Sequence, residues 1–165
     1  MGLDMEIRHN GEEVIYMRKE NAIRKWFEDN LENFEDNGLT NVPKEKFEGI
    51  VEAMSNVIME GGIHDFYMRY ANLLETDDEN DEYPALVADI RKFVEDGGEK
   101  YEQFCNAADK YLPSEAGFFF GSTDYGFSYI RGLCLNYHEF DEFLNEMNES
   151  GEEWDEGTVE YWEWY

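Results

Sequence analysis

The sequence predicts an α+β fold, mostly helical: about six helices with a small antiparallel sheet made of an N-terminal hairpin and a Phe118-Phe119-Phe120 strand. Three observations predict it. Asn10-Gly11 lies between two short apolar arms, and both residues tolerate the positive φ of a type I′ turn. Several segments repeat apolar residues every three or four positions, the spacing of a half-buried helix. Gly117 and Gly121 bracket three consecutive phenylalanines, a short apolar run that reads as a buried strand.

The hairpin covers residues 5–17, with Ile7 on one arm and Val14, Ile15 and Tyr16 on the other. A helix is expected over 19–35. Ile23, Trp26, Phe27, Leu31 and Phe34 share one side, Glu28, Asp29, Glu32, Glu35 and Asp36 the other, and Asn37-Gly38 stops it. Pro43 opens the next helix, because the first helical position needs no N–H. Phe47, Ile50, Val51, Met54, Val57 and Ile58 form its apolar stripe, and Gly61-Gly62 ends it. A third helix over 64–74 carries Phe66, Tyr70, Leu73 and Leu74. Pro84 begins a fourth with Val87, Ile90 and Val94, which Gly97-Gly98 breaks; a fifth runs over 99–111 until Pro113. Ser122 or Thr123 is expected to cap the last long helix through its side-chain oxygen. Ile130, Leu133, Tyr137, Phe140, Leu144 and Met147 define that helix's buried side. Residues 1–165 read as one acidic domain, with 150–165 as a terminal strand or a tail.

Charge narrows function. The 165 residues hold 13 Lys and Arg against 40 Asp and Glu, a net charge of −27. That excludes a basic cradle for DNA or RNA and attachment to an anionic membrane, since both need Lys and Arg. It points instead to a basic partner. No apolar run is long enough to span a bilayer and no secretory leader opens the sequence, so a cytoplasmic protein is expected. Leu, Ile, Val and Phe number 37, enough beside 27 aromatic rings in all to fill a core despite the charge. Cys105 and Cys134 fit no zinc spacing and are expected as buried, reduced thiols.

The charge is uneven. Residues 132–165 contain 11 acids and no Lys or Arg at all. On the last helix and the segment after it, Glu139, Asp141, Glu142, Glu146, Glu149, Glu152 and Glu153 are expected on the side away from the apolar stripe. Helical neighbours three or four residues apart lie about 5–6 Å from each other, a spacing comparable to that of phosphates along one nucleic-acid strand. Such a row can occupy a groove built for phosphates, or it can be a solvated surface. A second acidic stretch, Asp77, Asp78, Glu79, Asp81 and Glu82, reads as a solvated loop and as an additional partner-binding candidate. Trp154, Tyr161, Trp162, Trp164 and Tyr165 form either a terminal strand packed on the core or an aromatic interface.

Catalytic and metal readings find little footing. The stretch from Asp77 starts like a calcium loop but lacks glycine at the sixth position and has Ala88 at the twelfth. His9, His64 and His138 fit no metal motif, and His138-Glu139 beside Asp141 reads as surface. The 117–123 stretch leads toward a helix start, a geometry that can hold an anion, but it lacks the lysine of a phosphate loop. No enzyme, cofactor or metal is expected. Arg18, Lys19, Arg24 and Lys25 form the only basic cluster, either paired with local acids or open to something anionic.

Two segments resemble a group of small phage and prophage proteins. The first is Glu13-Val14-Ile15-Tyr16-Met17-Arg18-Lys19-Glu20-Asn21-Ala22-Ile23-Arg24-Lys25-Trp26-Phe27. The second is Leu112-Pro113-Ser114-Glu115-Ala116-Gly117-Phe118-Phe119-Phe120-Gly121-Ser122-Thr123-Asp124-Tyr125. Arg24 stands where the group usually has histidine, and Gly126-Phe127 where it usually has two acids. The group has no established common activity. The resemblance implies a phage genome, and small acidic phage proteins include inhibitors of host defence nucleases, anti-CRISPR proteins among them. The expectation is an inhibitor, in the cytoplasm of an infected bacterium, that covers the basic groove of a nucleic-acid-binding defence protein such as a CRISPR effector nuclease. The alternatives are an interaction module using the aromatic tail, or a protein that sequesters or processes a nucleotide.

Overall fold

A computed structural model describes residues 2–76 and 82–165. The chain opens with a hairpin, β1 (Asp4–His9) and β2 (Glu12–Arg18). Asn10 and Gly11 join its arms with φ of 51° and 83°, the double positive φ of the type I′ turn. The hairpin's inward side chains, Met5, Ile7, Ile15 and Met17, are all buried.

Next come α1 (Asn21–Asn30), a short strand β3 (Leu39–Asn41) and α2 (Lys44–Glu60). Helix α1 ends five residues before the expected 35. Leu31 is already extended, and the chain folds back so that Phe34 stacks on Tyr161. The Asn37 N–H then donates to Glu163 at 2.9 Å. A longer helix would carry these groups away from their partners, so tertiary contacts override the helical periodicity. Helix α2 lies against α1, α3, α5 and α6. Its Phe47 stacks face to face on Phe140, with ring centroids 5.2 Å apart.

Three further helices, α3 (His64–Glu75), α4 (Glu82–Asp96) and α5 (Gly98–Tyr111), precede the long α6 (Phe127–Ser150). Pro84 lies inside the first turn of α4 rather than at its start, and the missing N–H is still harmless there. Gly126 caps α6, and no side chain bonds its first turn. The expected cap by Ser122 or Thr123 is therefore not formed: the Ser122 hydroxyl donates to Asp124 instead, at 2.5 Å.

The last element, β4 (Val159–Trp164), completes an antiparallel sheet of order β2-β1-β4-β3. Ile7 faces Tyr161, and Tyr161 faces Thr40 across β3. The expected Phe118-Phe119-Phe120 strand is instead a turn. Phe118 is 95% exposed, and only Phe120 of the three is buried. The run's carbonyls are taken individually: the Leu3 N–H donates to Phe119 and the Asn21 amide to Phe120, each at 3.0 Å. The Phe120 N–H closes back on the Gly117 carbonyl at 3.1 Å, so the run is bonded as a turn and has no strand partner among the described residues. One face of the sheet carries the core, while Val14, Tyr16 and Leu39 on the other face are exposed. Neither cysteine is in a disulfide; Cys134 is buried and Cys105 half-buried. Among the described residues, no helix is long and apolar enough to cross a membrane.

Candidate functional site

Helix α6 places most of the acidic candidates. Ile130, Leu133, Phe140, Leu144 and Met147 are buried along one side, so the three- and four-residue steps between them turn the opposite side to solvent. Glu139, Glu142, Glu146 and Glu149 are exposed and follow one another at those same steps. They form a row, about 5–6 Å from one to the next. Among the described residues, no Lys or Arg lies within ion-pair distance of any of them; the nearest base is the His138 ring, 3.8 Å from Glu142. Burial pushes the Glu139 carboxyl above its ordinary range; the nearby His138 opposes that and Glu142 adds to it.

The row separates two shallow grooves. Toward the hairpin, Glu139, Glu142 and Glu146 face His9, Val14 and Ile15. Toward α3, Asp141 and Glu149 join Glu142 and Glu146 against Tyr67 and Glu75. Asp141 is half-buried and Asn145 donates to it at 3.5 Å. Past the left-handed Gly151, Glu152 turns back to the hairpin, 2.5 Å from the His9 ring and 3.3 Å from the Asn10 amide. Glu153 is exposed beside it. Glu82 does not join this face. It opens α4, and its neighbour Tyr83 shares a wall with Arg131, fifteen residues and about 22 Å along α6 from Glu146. Asp77, Asp78, Glu79 and Asp81, with the calcium-loop reading, lie outside the described residues.

The aromatic tail divides between the two faces of the sheet. Tyr161 is buried in the core, while Trp162 and Trp164 are half-buried on the outer face, rings 4.4 Å apart. Because β4 is an interior strand, removing the tail would dismantle the sheet rather than trim an interface.

The basic cluster is split as well. Arg24 is internal, its side chain 5% exposed. Its Nε lies 3.0 and 3.2 Å from the two carboxylate oxygens of Glu163. Its other nitrogens donate to Glu28 at 2.6 Å, Glu115 at 3.0 Å and Asp36 at 2.8 Å. The guanidinium plane also covers Phe120, 4.5 Å from the ring centroid. Burial works against the charge, but Glu163 and Glu115 outweigh it and hold Arg24 firmly protonated. Lys25 pairs with Asp29 at 2.5 Å and Arg18 with Asp4 at 3.1 Å.

Lys19 remains, and it borders a feature the sequence reading did not contain. A cleft of about 500 Å³ opens where the N-terminal ends of α1 and α6 converge. Two stretches far apart in sequence contribute walls, residues 18–23 and Gly121, Ser122 and Asp124. Glu20 lies deep in it, against the α6 backbone at Gly132: a Cβ there would stand 2.4 Å from its carboxylate. Burial pushes the Glu20 carboxyl up to about 7, although a hydrogen bond from Asn136 and the charge of Arg131 pull the other way. Two sequence signals bordered this cleft: the Arg18-Lys19 pair, and the 117–123 stretch that leads into a helix start able to hold an anion.

No cluster of three or more metal-ligating side chains occurs among the described residues. Comparison of the chain with protein-family models, with curated proteins and with solved structures gave no match.

Proposed function

We propose that this protein is an acidic inhibitor of phage origin that occupies the basic nucleic-acid groove of a host defence protein by charge mimicry. The observation that carries this reading is the row Glu139-Glu142-Glu146-Glu149. Each neighbouring pair repels at helical spacing, and Glu146 and Glu149 stand at the helix end that disfavours negative charge. The arrangement costs the free protein stability, and a cationic groove would relieve it. A CRISPR effector nuclease is a fitting target, because its groove already selects an anionic duplex through arginines. Glu152 and Glu153 extend the row past the helix.

The test is the triple variant Glu142→Lys/Glu146→Lys/Glu149→Lys against a panel of guide-loaded CRISPR nucleases. The wild-type chain is expected to block cleavage stoichiometrically, to be displaced by duplex DNA and to lose affinity steeply with salt. The triple variant is expected to be inactive. Full inhibition by that variant would sink the mimicry reading.

A further inference from the structure

We propose that the cleft between the N-terminal ends of α1 and α6 is a binding site for a nucleoside monophosphate. The inference does not rest on the mimicry reading, since the cleft and the acidic row lie at opposite ends of α6.

Three observations converge on it. First, charge: in a chain with 13 bases and 40 acids, Arg18, Lys19 and Arg131 line this one cavity. Among the described residues, neither Lys19 nor Arg131 has a carboxylate within ion-pair distance, while Arg18 also reaches Asp4 at 3.1 Å. Second, backbone: α1 and α6 both begin here, and no side chain caps either. The N–H groups of Ala22, Ile23, Ser128 and Tyr129 have no acceptor inside their own helices, and all four residues line the cleft. Two converging helix starts and three cations suit a phosphate.

Third, the wall is aromatic as well as charged. Tyr83 is the exposed ring on which a planar base can stack, beside Phe127, which carries Arg91 over one face at 4.5 Å, and Tyr129, which packs on Phe104 and Tyr125 and donates its hydroxyl to the Leu112 carbonyl. The volume of about 500 Å³ accommodates a ligand of that size. Two carboxylates, Glu20 and Asp124, also line the cavity. Asp124 is engaged by the Ser122 hydroxyl, and Glu20 is placed to accept from sugar hydroxyls or a base amino group. A bare phosphate would use the cations and leave the aromatic wall and Glu20 idle.

Calorimetric titration of the full chain tests this with AMP, GMP, CMP and UMP, and with inorganic phosphate and adenosine as partial ligands. At least one nucleotide is expected to bind in the micromolar range, with phosphate and adenosine each about tenfold weaker or worse. Arg131→Ala is expected to weaken nucleotide binding about tenfold. Lys19→Gly should do the same without harming the fold, because Lys19 has a φ of 56° that glycine adopts freely. Arg69→Ala, in an ion pair with Asp89 outside the cleft, is expected to bind like wild type. So is Glu142→Lys/Glu146→Lys/Glu149→Lys, which separates this site from the mimicry reading. Absence of binding by all four nucleotides at millimolar concentration would overturn the proposal. So would phosphate binding as tightly as any nucleotide, or unchanged affinity in both Arg131→Ala and Lys19→Gly.

Discussion

Arg24 and Glu163 show how an acidic chain spends one of its few cations. Glu163 is 0% exposed and accepts from Arg24, from the Asn37 N–H and from the Tyr161 hydroxyl at 2.8 Å. The pair ties α1 to the interior of the sheet, and Glu28, Asp36 and Glu115 complete the guanidinium's bonding. Removing only the cation leaves a buried carboxylate uncompensated, so Arg24→Met is expected to cost about 3–5 kcal/mol in urea unfolding. Adding Glu163→Gln should recover part of that loss. Glu20 behaves in the opposite sense. Its carboxyl is raised from 4.5 to about 7 in the folded chain, so folding prefers the protonated form. Its favourable contribution is complete below about pH 4.5 and is lost as pH rises through about 7. Glu20→Gln is therefore expected to raise the melting temperature at about pH 8, by an amount worth on the order of 2 kcal/mol, and to change little at about pH 4. A pH-independent effect would contradict the burial of this carboxyl.

At the scale of elements, α6 separates stability from function. Lysines at positions 142, 146 and 149 would still repel one another, but they would attract Glu139, lower the net charge of −27 and place cations at the helix end that favours them, gaining roughly 1 kcal/mol. The variant expected to lose inhibition is thus expected to melt several degrees higher than wild type. A loss of inhibition accompanied by a lower melting temperature would indicate damage to the fold instead. Legibility also divides by element. The hairpin was readable because Asn10-Gly11 carries its own turn geometry, and the helices because their apolar residues keep step over several turns. β3 was not, since Leu39-Thr40-Asn41 has neither length nor alternation. The Phe118-Phe119-Phe120 run was misleading: its composition suits a strand, but its backbone is bonded by Leu3 and Asn21, residues far off in sequence. The acidic row was legible because one helix carries it. The cleft was not, because its walls come from separate stretches of chain that only the tertiary fold brings together.

For the whole molecule, a net charge of −27 on 165 residues means that folding concentrates repulsion. Ion pairs offset it locally, as at Arg69 with Asp89, but the acids far outnumber their partners. The melting temperature is expected to rise between about 20 mM and 300 mM salt as the repulsion is screened. Calorimetry at several ionic strengths checks this, and a flat or falling trend would contradict it.

The position of β4 between β1 and β3 also sets a timetable. Asp4 pairs with Trp164, so the first strand made waits for nearly the last described residues before its second edge is filled. At about 5–20 residues per second, a ribosome takes roughly ten to thirty seconds to cover that interval. Until then the hairpin stands with β1 open to any passing strand, and its inner side chains have no sheet to join. Such an edge invites wrong pairing between nascent chains. The hairpin, with four acids against two bases, has little charge to keep a neighbour away, and the most acidic stretch, residues 132–165, is made last, so the open edge is guarded mainly by the speed of synthesis.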